Sequence, residues 1–194
     1  MKVRNRALAA LPALLLAAAS AGAAPHPELE AEQVNLHPAA AWTAVGGPAG
    51  QQLAQSFTVG RKAYLSHAML PMSCQPRADV RVTIEKTDPA GRPNGSVIAY
   101  EELPGHLFTS APTPAVGMRM IEFGNPPLVV PGTYALVVRV KGKHSCAVVA
   151  SPPGDWYSGG KGWFIALPNP PEWIELFSGE GTHELAFQVY VRPL

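Results

Sequence analysis

Polar and apolar positions alternate along much of this chain, in short runs with a period of two. From Asp79 to Lys86, Val80, Val82 and Ile84 alternate with Arg81, Thr83 and Glu85, the pattern of a strand with one buried face. From Gly132 to Val140, Tyr134, Leu136, Val138 and Val140 share a face. Val137 on the opposite face predicts burial on both sides at mid-strand. From His183 to Val191, Leu185, Phe187, Val189 and Val191 point inward, and Glu184, Gln188 and Tyr190 point outward. Less regular runs predict strands over 52–59, 63–70, 96–101, 118–123 and 144–151.

Turn residues separate these runs. Between Thr87 and Gly95, Pro89 and Pro93 fix φ, and Asn94-Gly95 tolerates positive φ. Pro126, Pro127 and Pro131-Gly132 bracket Leu128-Val129-Val130 in the same way. No segment beyond the N-terminal stretch carries a sustained 3.6-residue apolar stripe with caps. Many short strands with regular turns predict an all-β fold, an antiparallel β-sandwich rather than βαβ units. Its expected core includes Val80, Val82, Ile84, Leu136, Val138, Leu185, Phe187 and Val189. Residues 51–194 are the expected sandwich domain. Residues 25–50 are a lead-in rich in alanine and proline, where Trp42 and Val45 mark an early strand that Gly46-Gly47-Pro48 should break.

The N-terminus changes the picture by setting the compartment. Lys2, Arg4 and Arg6 precede an apolar run from Ala7 to Ala19, and the small residues Ser20 to Ala24 follow. This order predicts a signal peptide over 1–24, cleaved near Ala24, and a secreted or periplasmic protein. The alternative, an N-terminal membrane anchor, asks for a longer run of about 20 apolar residues. No cysteine lies near the cleavage point to carry a lipid. No second long apolar run follows, so no membrane insertion of the mature chain is expected.

Without its first 24 residues the 194-residue chain keeps 170, the size of one domain with a real core. Losing the three N-terminal cations takes the formal charge from +1 to −2. The remaining basic residues are scattered, and Arg61-Lys62 and Lys141-Gly142-Lys143 are too short to track a phosphate backbone. No nucleic-acid partner is expected, and the oligomeric state has no signature in the sequence.

Only Cys74 and Cys146 are present. In an exported chain a lone pair reads first as a disulfide, with Cα atoms about 4.4 to 6.8 Å apart. A metal or redox pair is the alternative, and the C-x-x-C spacing it favours is missing.

Catalytic and metal signatures are sparse. The six histidines, at 26, 37, 67, 106, 144 and 183, form neither H-x-H nor H-E-x-x-H. His144 beside Cys146 would need a free thiolate. Asp79, Asp88, Asp155 and Glu184 offer hard oxygens for a structural calcium, without a D-x-D-x-D-G loop. Ser158-Gly159-Gly160 lacks the strand–turn–helix setting of a nucleophile elbow, and Gly159-Gly160-Lys161-Gly162 lacks P-loop spacing. A glycosidase would need two facing carboxylates drawn from Asp155, Glu172, Glu175 and Glu180, which isolated loop residues do not predict. The expectation is a protein that is not an enzyme and has no cofactor.

Five segments in order carry a resemblance: Ala54-Gln55-Ser56-Phe57-Thr58, Gly91-x-Pro93-x-Gly95 with Ser96 to Ala99, Leu128 through Gly132-Thr133-Tyr134-Ala135-Leu136-Val137-Val138, Tyr157-Ser158-Gly159-Gly160 with Trp173 downstream, and Glu184-Leu185-Ala186-Phe187-Gln188-Val189-Tyr190-Val191. Together they resemble a family of exported bacterial β-sandwich modules of jelly-roll, carbohydrate-binding-module-like character. The resemblance spans roughly 51–191. It implies a jelly-roll-like fold and leaves function open, because such modules serve varied exported proteins. Glu184 stands where that pattern usually has Asp, which weakens any cation site carried over from it. Cys74 and Cys146 lie outside the five segments.

The segment from Pro152 to Trp173 holds three of the four tryptophans. Sugar rings stack apolar C–H faces on flat aromatic rings while carboxylates take their hydroxyls, so Asp155, Trp156 and Trp163 are the candidate ligand-binding residues. The alternative is packing, and it is favoured for Tyr157 and Trp173. Two readings follow. One is a secreted, non-catalytic module that binds a glycan or another polar cell-surface ligand. The other is a structural or interaction protein of the cell envelope with no small-molecule ligand.

Overall fold

The computed structural model describes residues 25–36, 42–108, 117–168 and 171–194. The expected signal segment lies outside these residues, as do His37 and residues 169–170 of the aromatic-rich segment. In chain order the strands are β1 (Glu28–Gln33), β2 (Trp42–Gly46), β3 (Gln52–Val59), β4 (Ala63–Leu70), β5 (Met72–Cys74), β6 (Asp79–Thr87), β7 (Pro93–Pro104) and β8 (Arg119–Glu122). They continue with β9 (Leu128–Val129), β10 (Gly132–Lys141), β11 (Ser145–Val149), β12 (Gly162–Ile165), β13 (Ile174–Glu175), β14 (Phe177–Ser178), β15 (Gly181–Thr182) and β16 (Phe187–Pro193). The helical content of the described residues is one 3-10 turn, Gly105–Leu107, so no helix among them is long enough to cross a membrane.

The strands form antiparallel sheets. One runs β1-β16-β4-β8, with β9 also on β4; the other runs β13-β12-β3-β10-β6-β7. A small sheet, β2-β11-β5, and the hairpin β14–β15 complete the architecture. The two large sheets bury a common core: Leu65 and Leu70 of β4 and Val189 of β16 on one side, Leu53 of β3, Ile84 of β6 and Leu136 of β10 on the other. Phe57 of β3 meets Phe187 of β16 with ring centroids 6.4 Å apart, a contact between sheets. The fold is thus the expected all-β antiparallel sandwich with one disulfide.

Strong alternation gave the right strands. The eight residues expected in the core are all buried. Val137 is fully buried on the outer face of β10, against Trp163. The lead-in supplies β1, which pairs with β16, and β2, which pairs with β11. The run from His183 behaves differently from its pattern. Regular pairing begins only at Phe187, and Leu185 makes an isolated bridge to Ala150. Freed from the sheet's alternation, Glu184 turns into the protein and is buried rather than facing out.

Cys74 and Cys146 form the disulfide and face each other across β5 and β11. Their Cα atoms are 4.0 Å apart, closer than the sequence reading anticipated. The Gln75 N–H donates to the Ser145 carbonyl at 3.0 Å. The cysteines therefore occupy the adjacent pair without hydrogen bonds, where antiparallel backbones approach most closely. Cys146→Ser should preserve the strands while lowering stability by up to roughly 4 kcal/mol, since the bond closes a long loop of the unfolded chain. Denaturant unfolding of both proteins checks this, and coincident transitions would show that the bond adds nothing.

Candidate functional site

A polar cleft of about 430 Å³ opens beside β3. Its walls come from Ser56 and Thr58 of β3, the 89–91 turn, Thr133, the loop 154–161, Glu175 and residues 182–184. Alternation along β3 sends Phe57 to the core and leaves Ser56 and Thr58 on the cleft side.

Main-chain bonds fasten the loop to the strand. The Ser56 N–H donates to the Lys161 carbonyl at 2.9 Å, and the Lys161 N–H donates to Ser56 Oγ at 2.8 Å. Thr58 Oγ1 donates to the Gly159 carbonyl at 2.8 Å, and the Thr58 N–H donates to the Tyr157 hydroxyl at 3.1 Å. Gly160 passes so close that a Cβ there would fall 1.9 Å from the Ser56 carbonyl oxygen, which requires glycine. The Tyr157 ring packs edge-on against Phe187 at 5.3 Å, joining loop to core. Tyr157 is therefore packed, as expected.

Glu184 lies under the loop. Its carboxylate accepts the Trp156 N–H at 3.1 Å and also the Tyr157 N–H. Burial pushes its pKa up to about 7; the neighbouring Asp155 charge adds to this, and the two N–H bonds oppose it. Across the cleft, Lys161 Nζ pairs with Glu175 at 2.9 Å, a solvent-facing bridge of little weight for stability.

The three candidate residues separate. Asp155 is exposed and lines the cleft. Trp156 is 47% exposed beside it in the chain, its Nε1 donating to the Pro153 carbonyl at 3.3 Å. Trp163 is packed rather than presented, with 6% exposure. It sits opposite Ala54 on the neighbouring strand, and Ala54, Ala135 and Val137 leave a shallow outer face that its indole fills. Its Nε1 donates to Ser56 Oγ at 3.2 Å, satisfying the buried polar atom. Trp173 packs against the same cluster.

Of the carboxylates that offered oxygens for calcium, Asp155 and Glu184 come together. Asp88 instead holds its own turn, accepting the Ala90 and Arg92 N–H groups at 2.9 Å. No group of three or more His, Cys, Asp or Glu is placed to hold a metal among the described residues.

Sequence reasoning missed Ser56, Thr58, Lys161 and Glu184 as cleft residues. A signal did exist: each of the five segments that carried the family resemblance contributes to this one cleft, through Ser56 and Thr58, Gly91, Thr133, Ser158 to Gly160, and Glu184. Compared with known proteins, the chain matches no family model and no curated sequence.

The raised pKa of Glu184 has a defined effect on stability. Between about pH 4.5 and 7 the folded protein keeps a proton that the unfolded chain releases. Its stabilising effect is complete below the unfolded value and is lost as pH rises through about 7, at a cost on the order of a few kcal/mol. Glu184→Gln should therefore flatten the fall in thermal midpoint from pH 5 to pH 8 and raise the midpoint at pH 8. Parallel melts of the two proteins across this range check it.

Proposed function

We propose that the protein is a secreted or periplasmic module of the jelly-roll, carbohydrate-binding type, and that its polar cleft binds a glycan or a similar hydroxyl-rich surface ligand. The convergence of the five resemblance segments on one cleft carries this reading. Hydroxyls and main-chain groups on β3 and on the 154–161 loop supply directional donors and acceptors. Asp155 accepts ligand hydroxyl hydrogens, and Trp156, exposed at the same loop, offers an aromatic face for a sugar ring. Anchoring of the loop to Thr58 and Glu184 holds these groups before a ligand arrives, which lowers the ordering cost of binding. The role of the cleft is recognition, without a cofactor and without chemistry on the ligand.

A glycan array on the purified protein identifies the ligand, and two substitutions then place it. Trp156→Ala should weaken binding about thirtyfold, the equivalent of about 2 kcal/mol for an aromatic anchor, with the thermal midpoint nearly unchanged. Asp155→Ala should weaken it as well. Loss of stability in Trp156→Ala without selective loss of affinity would make the loop scaffold and leave the envelope-structural reading in place.

A further inference from the structure

On the other side of His183 from the polar cleft, two side chains stand in a reactive arrangement. Ser178 Oγ lies 2.7 Å from His183 Nε2. His183 Nδ1 lies 3.0 Å from the Ser151 carbonyl oxygen. A carbonyl oxygen only accepts, so Nδ1 carries the ring hydrogen, and in the neutral imidazole Nε2 turns its lone pair to the Ser178 hydroxyl. The ring is buried while Ser178 is exposed, so the base is fixed in orientation and the hydroxyl remains reachable. The Glu180 N–H donates to Ser178 Oγ at 3.1 Å, a bond that favours negative charge on that oxygen. Beside the pair lies a cleft of about 660 Å³, with Trp42, Phe164, Leu176 and Phe177 on an apolar wall and Thr43, Gln51 and Glu180 among its polar residues.

We propose that Ser178 is a nucleophile with His183 as its general base, and that the pair hydrolyses a carboxylic ester whose acyl chain lies against the apolar wall of this cleft. The arrangement supplies two of the contacts such chemistry needs, nucleophile to base and base to orienting group. Ser178 Oγ bonds to the ester carbonyl carbon as its proton passes to Nε2. The tetrahedral intermediate collapses, the bond to the alcohol oxygen breaks, and that oxygen takes the proton from Nε2. Water then attacks the acyl-serine, giving a proton to Nε2. Release of the acid returns that proton to Ser178 Oγ. The orienting group is a neutral carbonyl, so the imidazolium formed in each step has no counter-charge at Nδ1, and turnover is expected on activated, short-chain esters. The proposal rests on neither the polar cleft nor its ligand.

A fluorophosphonate probe and p-nitrophenyl butyrate, applied to the purified full-length protein, test it. The probe should add to Ser178, located by peptide mass spectrometry, and heat-denatured protein should not be labelled. Ser178→Ala should abolish labelling and bring hydrolysis down to the buffer rate, in protein shown by its thermal melt to be folded. His183→Gln should lower hydrolysis at least tenfold. Should that variant fail to fold, the labelling and the Ser178→Ala rate decide. Absence of label on Ser178, equal label after denaturation, or hydrolysis retained by Ser178→Ala would overturn the proposal.

Discussion

In β3 each residue faces the opposite way from the next, and that alternation ties the core to the cleft. Leu53 and Phe57 enter the space between the sheets, and Phe57 meets both Tyr134 and Phe187 there. Ala54, Ser56 and Thr58 take the other face. They receive Trp163, the Lys161 backbone and Gly159 respectively. A one-residue slip of β3 against β10 would put hydroxyls in the core and a phenylalanine under the loop. The pairing of Phe57 with Tyr134 and of Ser56 with Ala135 thus sets both the packing and the position of the 154–161 loop.

The same outer face carries the costlier polar burial. Glu85 is fully buried, and it accepts from Arg139, Thr83 and Gly95. Arg139 also donates to Gln52. On the inner side Gln55 accepts the Leu185 N–H at 2.9 Å. Each group has partners, which is the condition for keeping such residues out of water without a large penalty. Their geometry depends on strand register, so they favour one alignment of the sheet over its neighbours.

Strands with clear alternation were legible in the sequence, and β3 and β4 have the bounds their patterns predict. The short strands β12 to β15 were not. Gly162 to Ile165 reads as an aromatic loop, because its partner face on β3 is set by distant small residues and not by its own pattern. For the same reason Trp156 and Trp163 looked alike as candidates: both sit beside glycines and charges. Only the third dimension separates them, by placing Ala54 and Ala135 under one ring and solvent over the other. Glu184 was misread because a period of two was extended three residues beyond the start of true pairing. The Ser178–His183 contact was invisible, since the hairpin brings together two side chains five positions apart without any motif.

The cystine has a mechanical side. It links residues 72 apart in the chain and encloses strands β6 to β10 within a covalent ring. If the molecule is pulled from its two ends, the ring withholds roughly 240 Å of contour from extension, at 3.3–3.6 Å per residue. The load passes through β5 and β11 instead of through the ladders of β6 and β10. Half of the second sheet is therefore shielded from tension until sulfur–sulfur exchange opens the ring, so the reach of the stretched chain depends on the redox state around it.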